Sequence, residues 1–281
     1  MAYTSFFFVF LFTNFFSTTF AFLSTNHPPI CHDHEKSALL QLKDSFSIAD
    51  WFVDCDPKFE GWNQASDCCL WDGIKCDDVS GHVISLDLSG SCLLGSINSS
   101  SSLFQLLHLR SLNLAYNHFD FSSIPSSFGH FQNLTHLNLS NSVFSGPIPS
   151  SISNLSKLFS LDLSWNEGLE LINPDFKTLI RKLGNLQVLH LDRVNMSSIV
   201  PDDILLANSS SLVSVSLVEC NLKGEFSTRI FQLPKLEVLL LDANYGLTEY
   251  LFFIMDGSSD QTHSFVSWRL KFNGPNPFFL C

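Results

Sequence analysis

Apolar residues recur along this chain at a nearly fixed spacing. Seven segments follow the pattern apolar-x-x-apolar-x-apolar, and their central apolar residues are Leu86, Leu112, Leu137, Leu161, Leu189, Val215 and Leu239. Successive centres are 26, 25, 24, 28, 26 and 24 residues apart. A period of this length is typical of repeat proteins, in which each repeat buries its apolar face against its neighbours.

The alternation within each segment predicts a short strand. Successive side chains of a strand point to opposite faces, so the apolar residues face one side and the intervening residues face the other. Strands of successive repeats would pair in parallel over one continuous core. We therefore expect an α/β solenoid, namely a right-handed leucine-rich-repeat horseshoe with a parallel concave sheet, with about seven repeats over residues 81–248.

The residue five positions after each central apolar residue is also characteristic of the repeat. A leucine-rich repeat places Asn or Cys there, because the side chain satisfies backbone groups in the turn that leaves the strand. We call these residues the asparagine column; they are Ser91, Asn117, Ser142, Asn166, Val194, Cys220 and Asn244. Val194 cannot form such hydrogen bonds and follows the longest gap, so we expect local irregularity near it.

The first residues of the chain predict a secretory signal. Residues 6–16 are almost wholly apolar but too few to span a bilayer, and the segment Thr19-Phe20-Ala21 supplies small residues, Thr19 and Ala21, at the two positions that a signal peptidase reads. We expect a signal peptide over residues 1–21, with cleavage after Ala21. No later stretch reaches ~18 uncharged apolar residues, so no transmembrane helix is predicted in this chain.

The end of the chain departs from the repeat. Residues 249–281 lack the repeat's spacing, and from residue 256 they contain clusters of Gly, Ser, Asn and Pro. Such clusters are typical of turns and loops. We therefore expect a divergent, poorly ordered tail that does not continue the sheet.

The distribution of cysteines indicates a disulfide-bonded N-terminal cap. Six of the eight cysteines lie between Cys31 and Cys92. Crowding of this kind after a secretory signal is typical of a disulfide framework. We place this cap over residues 22–80.

A metal site is the competing interpretation of the same region. Cys68 and Cys69 are adjacent, which is awkward geometry for one tetrahedral zinc ion. His32 and His34 flank Asp33, but they are only two residues apart near the predicted mature N-terminus. We therefore predict no metal ion and no cofactor.

Several further motifs resemble those of plant proteins. Residues 146–149 (Gly-Pro-Ile-Pro) resemble the G-x-I-P element of plant-specific leucine-rich repeats. Residues 68–76 resemble the plant N-terminal cap motif, and residues 35–43 are similar to the helix of that cap. Residues 99–106 resemble the start of the first repeats in tomato-type receptor-like proteins for disease resistance. From about residue 29 to about 248, the chain therefore resembles a plant leucine-rich-repeat receptor-like protein.

This resemblance also implies a cysteine pairing. The two bridges that it implies are Cys31–Cys68 and Cys69–Cys76. The pairing of Cys55 and Cys92 stays open, and Cys220 is expected to be a buried free thiol.

The resembling proteins look like single-pass cell-surface receptors with a long repeat ectodomain and a short tail without a kinase. They perceive pathogen or developmental ligands and signal through partner receptor kinases. The resemblance thus implies a protein, peptide or glycan ligand in plant defence or development, and a receptor-kinase co-receptor. It also implies a location at the plasma membrane or cell surface, or otherwise in the apoplast.

Three interpretations follow from how the chain departs from such receptors. It has seven repeats and lacks their paired-cysteine C-terminal cap and membrane helix, so we expect the N-terminal portion of a truncated receptor. A secreted inhibitor of a pathogen cell-wall-degrading enzyme, similar to polygalacturonase-inhibiting proteins, is an alternative, as is a non-functional fragment. The sequence does not identify the ligand.

The exposed positions of the concave strands are the expected ligand-binding surface, because rigid strands pre-organise their side chains. The candidate ligand-contact residues are Tyr116, His136, Trp165, His190, Arg193 and Glu219. No catalytic motif accompanies them. Four aspartates at equivalent or nearby strand positions of different coils are interpreted as solvated residues of the concave face, namely Asp87, Asp162, Asp192 and Asp242. We therefore predict no enzyme. A net charge of −12 argues against nucleic-acid binding.

Glycosylation is the last expectation. Six Asn-x-Ser/Thr sequons are present, at Asn98, Asn133, Asn138, Asn154, Asn195 and Asn208. Asn138 lies between two core leucines of a predicted strand, so a glycan there would cover part of the proposed binding face.

Overall fold

The computed structural model describes residues 30–49, 55–172, 176–199, 211–225, 230, 233–247 and 269–271. The predicted signal peptide with its cleavage site, the sequon at Asn208 and most of the predicted tail lie outside these residues. Among the described residues, no helix is both long enough and apolar enough to cross a membrane.

The described residues contain two α-helices, four 3-10 helices and fifteen short strands. The helices are α1 (Asp33–Asp44), α2 (Phe176–Lys182) and the 3-10 segments Cys68–Leu70, Ser102–Gln105, Ser126–His130 and Ser150–Asn154. The strands are β1 (Ser47–Ile48), β2 (Ile74–Cys76), β3 (Val83–Asp87), β4 (Leu93–Leu94), β5 (Ser111–Asn113), β6 (His136–Asn138), β7 (Ser145–Pro147), β8 (Ser160–Asp162), β9 (Gly168–Glu170), β10 (Val188–His190), β11 (Ser214–Ser216), β12 (Lys223–Gly224), β13 (Val238–Leu240), β14 (Gly246–Leu247) and β15 (Arg269–Lys271).

One nine-stranded sheet organises the molecule, in the order β15-β13-β11-β10-β8-β6-β5-β3-β2. We call it the concave sheet. From β3 to β13 every pairing is parallel, and each central apolar residue of the sequence pattern is the direct partner of the next. These seven residues are all buried. The predicted leucine-rich-repeat solenoid with a parallel sheet is therefore confirmed.

In the four coils between β3 and β10, the side opposite the sheet is closed by short helices. The 3-10 helices Ser126–His130 and Ser150–Asn154 follow Pro125 and Pro149, and each buries an apolar residue, Phe128 or Ile152. Proline suits a helix start because the first amides of a helix have no intrahelical partner. Two small parallel sheets, β7–β9 and β12–β14, run beside the coils.

The longest repeat places its extra residues away from the concave sheet. Strand β10 is in register with β8 on one side and β11 on the other, so the sheet continues regularly up to Val194. The segment between β8 and β10 instead contains α2, the longest helix outside the cap among the described residues. The prediction of irregularity near Val194 is wrong for the sheet, because the insertion is accommodated as helix on the opposite side.

The N-terminal cap covers the first coil. Strand β2 pairs antiparallel with β3, and Ser102 donates a 2.8 Å hydrogen bond to the carbonyl of Ala38 in α1. The stacked rings of Trp62 and Trp71, with centroids 5.2 Å apart, fill the cap's interior. Two disulfides, Cys31–Cys68 and Cys69–Cys76, lie within the cap, and a third, Cys55–Cys92, joins the cap to the first coil. Two of them are the bridges that the resemblance implies, and Cys220 is a buried free thiol.

The tail returns to the sheet at its other end. Strand β15 pairs antiparallel with β13, with Leu270 as the direct partner of Leu239. The prediction that the tail does not continue the sheet is therefore wrong for residues 269–271. The backbone amides and carbonyls of an edge strand favour a further strand, and sequence spacing cannot reveal an antiparallel return of this kind.

Candidate ligand-binding surface

In every coil, the residue four positions after the central apolar residue adopts a left-handed backbone conformation. These residues form what we call the left-handed column: Gly90 (φ 64°), Tyr116 (57°), Asn141 (49°), Trp165 (62°), Arg193 (63°), Glu219 (57°) and Ala243 (58°). The conformation is costly for a residue with a Cβ, and it recurs here because every coil makes the same turn as the chain leaves its strand.

Backbone hydrogen bonds between coils hold this column in place. The amides of Tyr116, Trp165 and Glu219 donate to carbonyls of the following coil at 3.0, 2.7 and 2.8 Å. The carbonyls that accept these bonds belong to Ser140, Asp192 and Asp242. Each side chain of the column is therefore carried by a fixed backbone.

The structure moves four of the six predicted ligand-contact residues off the concave strands. Tyr116, Trp165, Arg193 and Glu219 lie in the left-handed column, on the turns just beyond the strands. This differs from the sequence expectation, which placed all six on the strands. The column sits at the rim of the sheet because the polypeptide turns there towards the opposite side of the coil.

Three of these residues and one further side chain form a compact group, which we call the tryptophan–arginine cluster. The Arg193 guanidinium carbon lies 4.2 Å from the ring centroid of Trp165, which is 50% exposed. Arg193 Nη1 donates to Glu167 Oε1 at 2.5 Å. Arg193 Nε lies 2.8 Å from Glu219 Oε2, an ion pair without the alignment of a hydrogen bond. The arginine is thus held between an aromatic face and two carboxylates.

Tyr116 and His136 extend this surface towards the cap. Tyr116 is 64% exposed and belongs to the left-handed column. His136 lies on β6, and its ring is nearly parallel to that of Phe159, with centroids 6.5 Å apart. The sequence interpretation missed Phe159 and Glu167; both lie about one repeat length from the partner they contact, and counting by the repeat period would have found them.

His190, the remaining candidate, lies on β10 within a polar chain that crosses three strands. Its Nε2 is 3.1 Å from Ser214 Oγ, and its Nδ1 is 3.9 Å from Asp162 Oδ2. A nucleophilic serine needs a close base and amide donors for an oxyanion. Here the carboxylate lies beyond hydrogen-bond distance, and the Ser214 amide donates to the Gln187 carbonyl. We therefore assign no catalytic role to Asp162, His190 and Ser214.

The asparagine column lies directly beneath the exposed residues. Asn166, which follows Trp165, donates to the carbonyls of Leu139 and Leu163 at 2.8 and 2.9 Å. Its Oδ1 accepts the amides of Ser142 and Phe144 at 3.1 and 3.0 Å. Buried polar groups of the turn are thereby satisfied within the protein, which stabilises the backbone that carries Trp165.

Cys220 occupies the same column with weaker donors and acceptors. Its Sγ lies 3.1 Å from the Leu191 carbonyl oxygen. Burial raises the pKa of this thiol above its ordinary value, and the negative charge of Asp192 acts in the same direction. Cys220 is therefore a protonated donor in the core and not a reactive thiolate.

The predicted glycosylation sites differ in accessibility. Asn98 and Asn154 are exposed, whereas Asn133, Asn138 and Asn195 are partly buried. Asn133 also accepts a hydrogen bond from Lys157 Nζ at 2.8 Å. Asn138 lies on β6, between Asn113 and Asp162 of the neighbouring strands. Modification of these residues stays a prediction.

Comparison with known proteins agrees with this architecture. The family description "Leucine rich repeat N-terminal domain" matches residues 32–77, and "Leucine rich repeat" matches residues 108–167. Together with the fold, these matches show a leucine-rich-repeat protein with an N-terminal cap domain.

The chain is similar in sequence to plant receptor-like proteins, which confirms the resemblance seen in the sequence. It is 42% identical over 252 residues to Receptor-like protein 6 of Arabidopsis thaliana, an alignment that covers 84% of this chain and 25% of that protein. It is 40% identical over 238 residues to Receptor-like protein Cf-9 of Solanum pimpinellifolium, covering 80% and 27%. The chain therefore spans roughly a quarter of the length of these relatives.

Solved structures with the same fold include plant proteins. A plant ice-binding protein superposes with a TM-score of 0.58 at 27% identity, covering 73% of this chain and 61% of that one. The crystal structure of PEPR1–AtPEP1 superposes with a TM-score of 0.57 at 28% identity, covering 74% and 28%. These likenesses support the solenoid architecture.

Proposed function

We propose that this chain is the ligand-recognising part of a plant receptor-like protein and that the tryptophan–arginine cluster is its principal contact for a protein or peptide ligand. The observation that carries the proposal is the half-exposed Trp165 ring, held against Arg193 on a rigid turn. Tryptophan and arginine are the residue types that most often dominate binding energy in protein interfaces.

The rigidity of the cluster favours binding over a merely solvated surface. Both Trp165 and Arg193 have left-handed backbones, and their amides donate to the next coil at 2.7 and 2.8 Å. Side chains that are already ordered lose less entropy when a partner binds. The cluster therefore meets the main requirement of a binding hot spot, which is pre-organised apolar area beside defined charges.

The charges around Trp165 suggest the chemistry of the ligand. Glu167 and Glu219 outnumber Arg193 within the cluster, and the whole chain carries a formal net charge of −12. Opposite charges on two partners steer their encounter and fix their orientation. We therefore expect the ligand to present a basic group beside an apolar one.

The sequence similarity supports the remaining parts of the proposal. The relatives are receptor-like proteins of plants, so we propose action at the cell surface or in the apoplast, in defence or development. A receptor-kinase co-receptor is the proposed signalling partner. The family resemblance motivates this partner, and no contact of the described residues identifies it.

Selection from a random peptide library displayed on phage tests the proposed surface. The secreted chain is immobilised, enriched peptides are synthesised, and their affinities are measured for the wild type and for Trp165→Ala. We expect the peptides to combine Lys or Arg with an aromatic or aliphatic residue. Trp165→Ala should weaken their binding at least ~30-fold, the loss that defines a hot-spot residue.

Phe121→Ala is the matched control, because Phe121 is a similarly exposed aromatic side chain (66%) outside the left-handed column. It should leave affinity unchanged. Equal effects of the two substitutions would contradict the proposed contact surface. Inhibition of a fungal polygalacturonase by the wild-type chain, assayed by release of reducing ends, would support the alternative function of enzyme inhibition instead.

A further inference from the structure

Four histidines from three distant segments of the sequence meet where the cap joins the first coil. His82, just before β3, is stacked between His32 and His108, with ring centroids 4.0 and 3.6 Å away. His34, in the first turn of α1, lies at the edge of this stack, 6.4 Å from the His82 centroid. The sequence interpretation considered only His32 and His34, because folding alone brings His82 and His108 beside them.

A buried carboxylate lies within this group. Glu35 is 0% exposed, and its Oε2 accepts the Val83 amide at 2.9 Å. Its other oxygen, Oε1, lies 3.3 Å from His82 Nδ1. The Val83 amide fixes the carboxylate, and the two flanking rings fix the orientation of His82. Both groups are therefore rigidly placed before any ligand binds.

We propose that His34, Glu35 and His82 form a binding site for a divalent transition metal ion of the Zn²⁺ type, and that the bound ion ties α1 of the cap to the first coil. One donor atom from each of these residues lies within 4.8 Å of the other two. The proposal is independent of the function assigned to the tryptophan–arginine cluster.

The distances fit the coordination geometry of zinc. Two ligand atoms about 2.05 Å from one ion, at the tetrahedral angle, are ~3.3 Å apart. Glu35 Oε1 and His82 Nδ1 already have this separation, at 3.3 Å. His34 is exposed, so rotation of its side chain can bring its nitrogen to the third position. A fourth position then remains for water.

The type of donor selects the class of metal. Two imidazoles and one carboxylate suit Zn²⁺ or Cu²⁺, whereas Ca²⁺ and Mg²⁺ prefer oxygen ligands. The Val83 amide also supplies the outer hydrogen bond that orients a metal-binding carboxylate. A second group, Cys31, Asp67, Cys68 and Cys69, is also compact, but its three cysteines are in disulfides and cannot act as thiolate ligands.

Isothermal titration of the metal-free secreted chain, produced without a histidine tag, tests the proposal. We expect one Zn²⁺ ion per chain, no saturable binding of Mg²⁺, and a rise in Tm with Zn²⁺ that EDTA reverses. His34→Ala removes an exposed ligand, and Glu35→Gln keeps an acceptor for the Val83 amide while removing the charge. Each should weaken Zn²⁺ binding at least ~10-fold.

His130→Ala is the control, since His130 is an exposed histidine on the 3-10 helix Ser126–His130, outside the group. It should bind Zn²⁺ as the wild type does. Circular dichroism and Tm without metal establish that each variant is folded. Absence of saturable Zn²⁺ binding by the wild type would overturn the proposal. Wild-type affinity in folded His34→Ala and Glu35→Gln would overturn it equally.

Discussion

The asparagine column and the left-handed column run side by side, one residue apart, yet they are under different physical constraints. In the asparagine column every residue is buried, and Asn117, Asn166 and Asn244 each donate to carbonyls of two successive coils. In the left-handed column, Tyr116 and Trp165 are exposed, and the residue types range from Gly to Trp.

This difference separates stability from recognition at the level of single residues. The left-handed backbone recurs whatever side chain the position carries, and it is present even at Arg193, whose buried neighbour Val194 has no side-chain hydrogen bond to contribute. Each exposed side chain is then presented on the same scaffold at a spacing of one coil. A repeat protein can therefore vary its binding surface while its turns stay unchanged.

Substitution of a buried asparagine should give the largest effect. Asn166→Ala removes an acceptor from two buried amides and a donor group from three buried carbonyls. We expect a loss of about 3 kcal/mol in the free energy of unfolding, since each unsatisfied buried group costs ~1–3 kcal/mol. Urea denaturation measures this loss. Asn185→Ala, which removes one exposed hydrogen bond to the Ser156 carbonyl, should cost less than ~0.5 kcal/mol; similar losses would contradict the comparison.

A glycine in the left-handed column tests the conformation of the column itself. Gly90 has φ 64°, and an added Cβ would meet nothing within 4 Å, so only backbone strain opposes a side chain. Gly90→Ala should destabilise by about 1 kcal/mol. Gly61→Ala also enters open space, but Gly61 lacks a left-handed φ. If it destabilises the protein as much as Gly90→Ala does, strain is not the cause.

The asparagine column contains one aliphatic residue, Val194, so Val and Asn can be exchanged in both directions within it. Val194 is 0% exposed, and the amides of Leu191 and Arg193 donate to the following coil as those of Leu163 and Trp165 do before Asn166. Val194→Asn should change the free energy of unfolding by less than about 1 kcal/mol, because new hydrogen bonds offset the burial of the amide. Urea denaturation of Val194→Asn and Asn166→Val is the measurement. A penalty as large as that of Asn166→Val would show that this turn differs from the others.

The partly buried ion pair between Asp87 of β3 and Lys58 of the cap should contribute least, and its contribution should depend on pH. Burial raises the pKa of the Asp87 carboxyl. Hydrogen bonds from the Ser89 hydroxyl and amide, together with the Lys58 ammonium, lower it by more than burial raises it, so the pKa lies below its ordinary value. Lys58→Met should therefore cost under ~1 kcal/mol near neutral pH. Because the pKa of Asp87 is lowered in the folded protein, the difference in free energy of unfolding between wild type and Lys58→Met should persist above pH ~4. It should vanish as the pH falls through the pKa of Asp87 in the folded protein.

Urea titrations at several pH values measure that difference. Lys157→Met is the control, because Lys157 donates to the neutral side chain of Asn133. Its effect should not change across the same pH range. If the difference in free energy of unfolding between wild type and Lys58→Met grows as the pH falls, the pKa of Asp87 is not lowered in the folded protein.

The repeat period and the cap motifs were sufficient to predict the fold. The central residues from Leu86 to Leu239 are direct partners in the sheet because alternation fixes which side chains face the core, and one repeat cannot bury them alone. The same counting predicted the asparagine column. These features follow from local pattern, so the sequence alone determined them.

The candidate site was predicted only in part. Residue types marked Trp165, Arg193 and Glu219, but nothing in the local pattern revealed that their turns are left-handed or that Glu167 completes the cluster. Positive φ values at Trp, Arg and Glu run against local preference. They arise because hydrogen bonds from neighbouring coils determine the turn.

By itself the sequence determined the solenoid, its core and the residues available for recognition, because these depend on periodicity along the chain. Only the tertiary structure decided the meeting of His34, Glu35 and His82, since Glu35 and His82 are 47 residues apart and meet through the packing of cap on coil. It also decided the antiparallel return of β15 onto β13. Contacts between distant segments depend on which surfaces remain to be covered after the repeats have stacked, and no local spacing encodes that outcome.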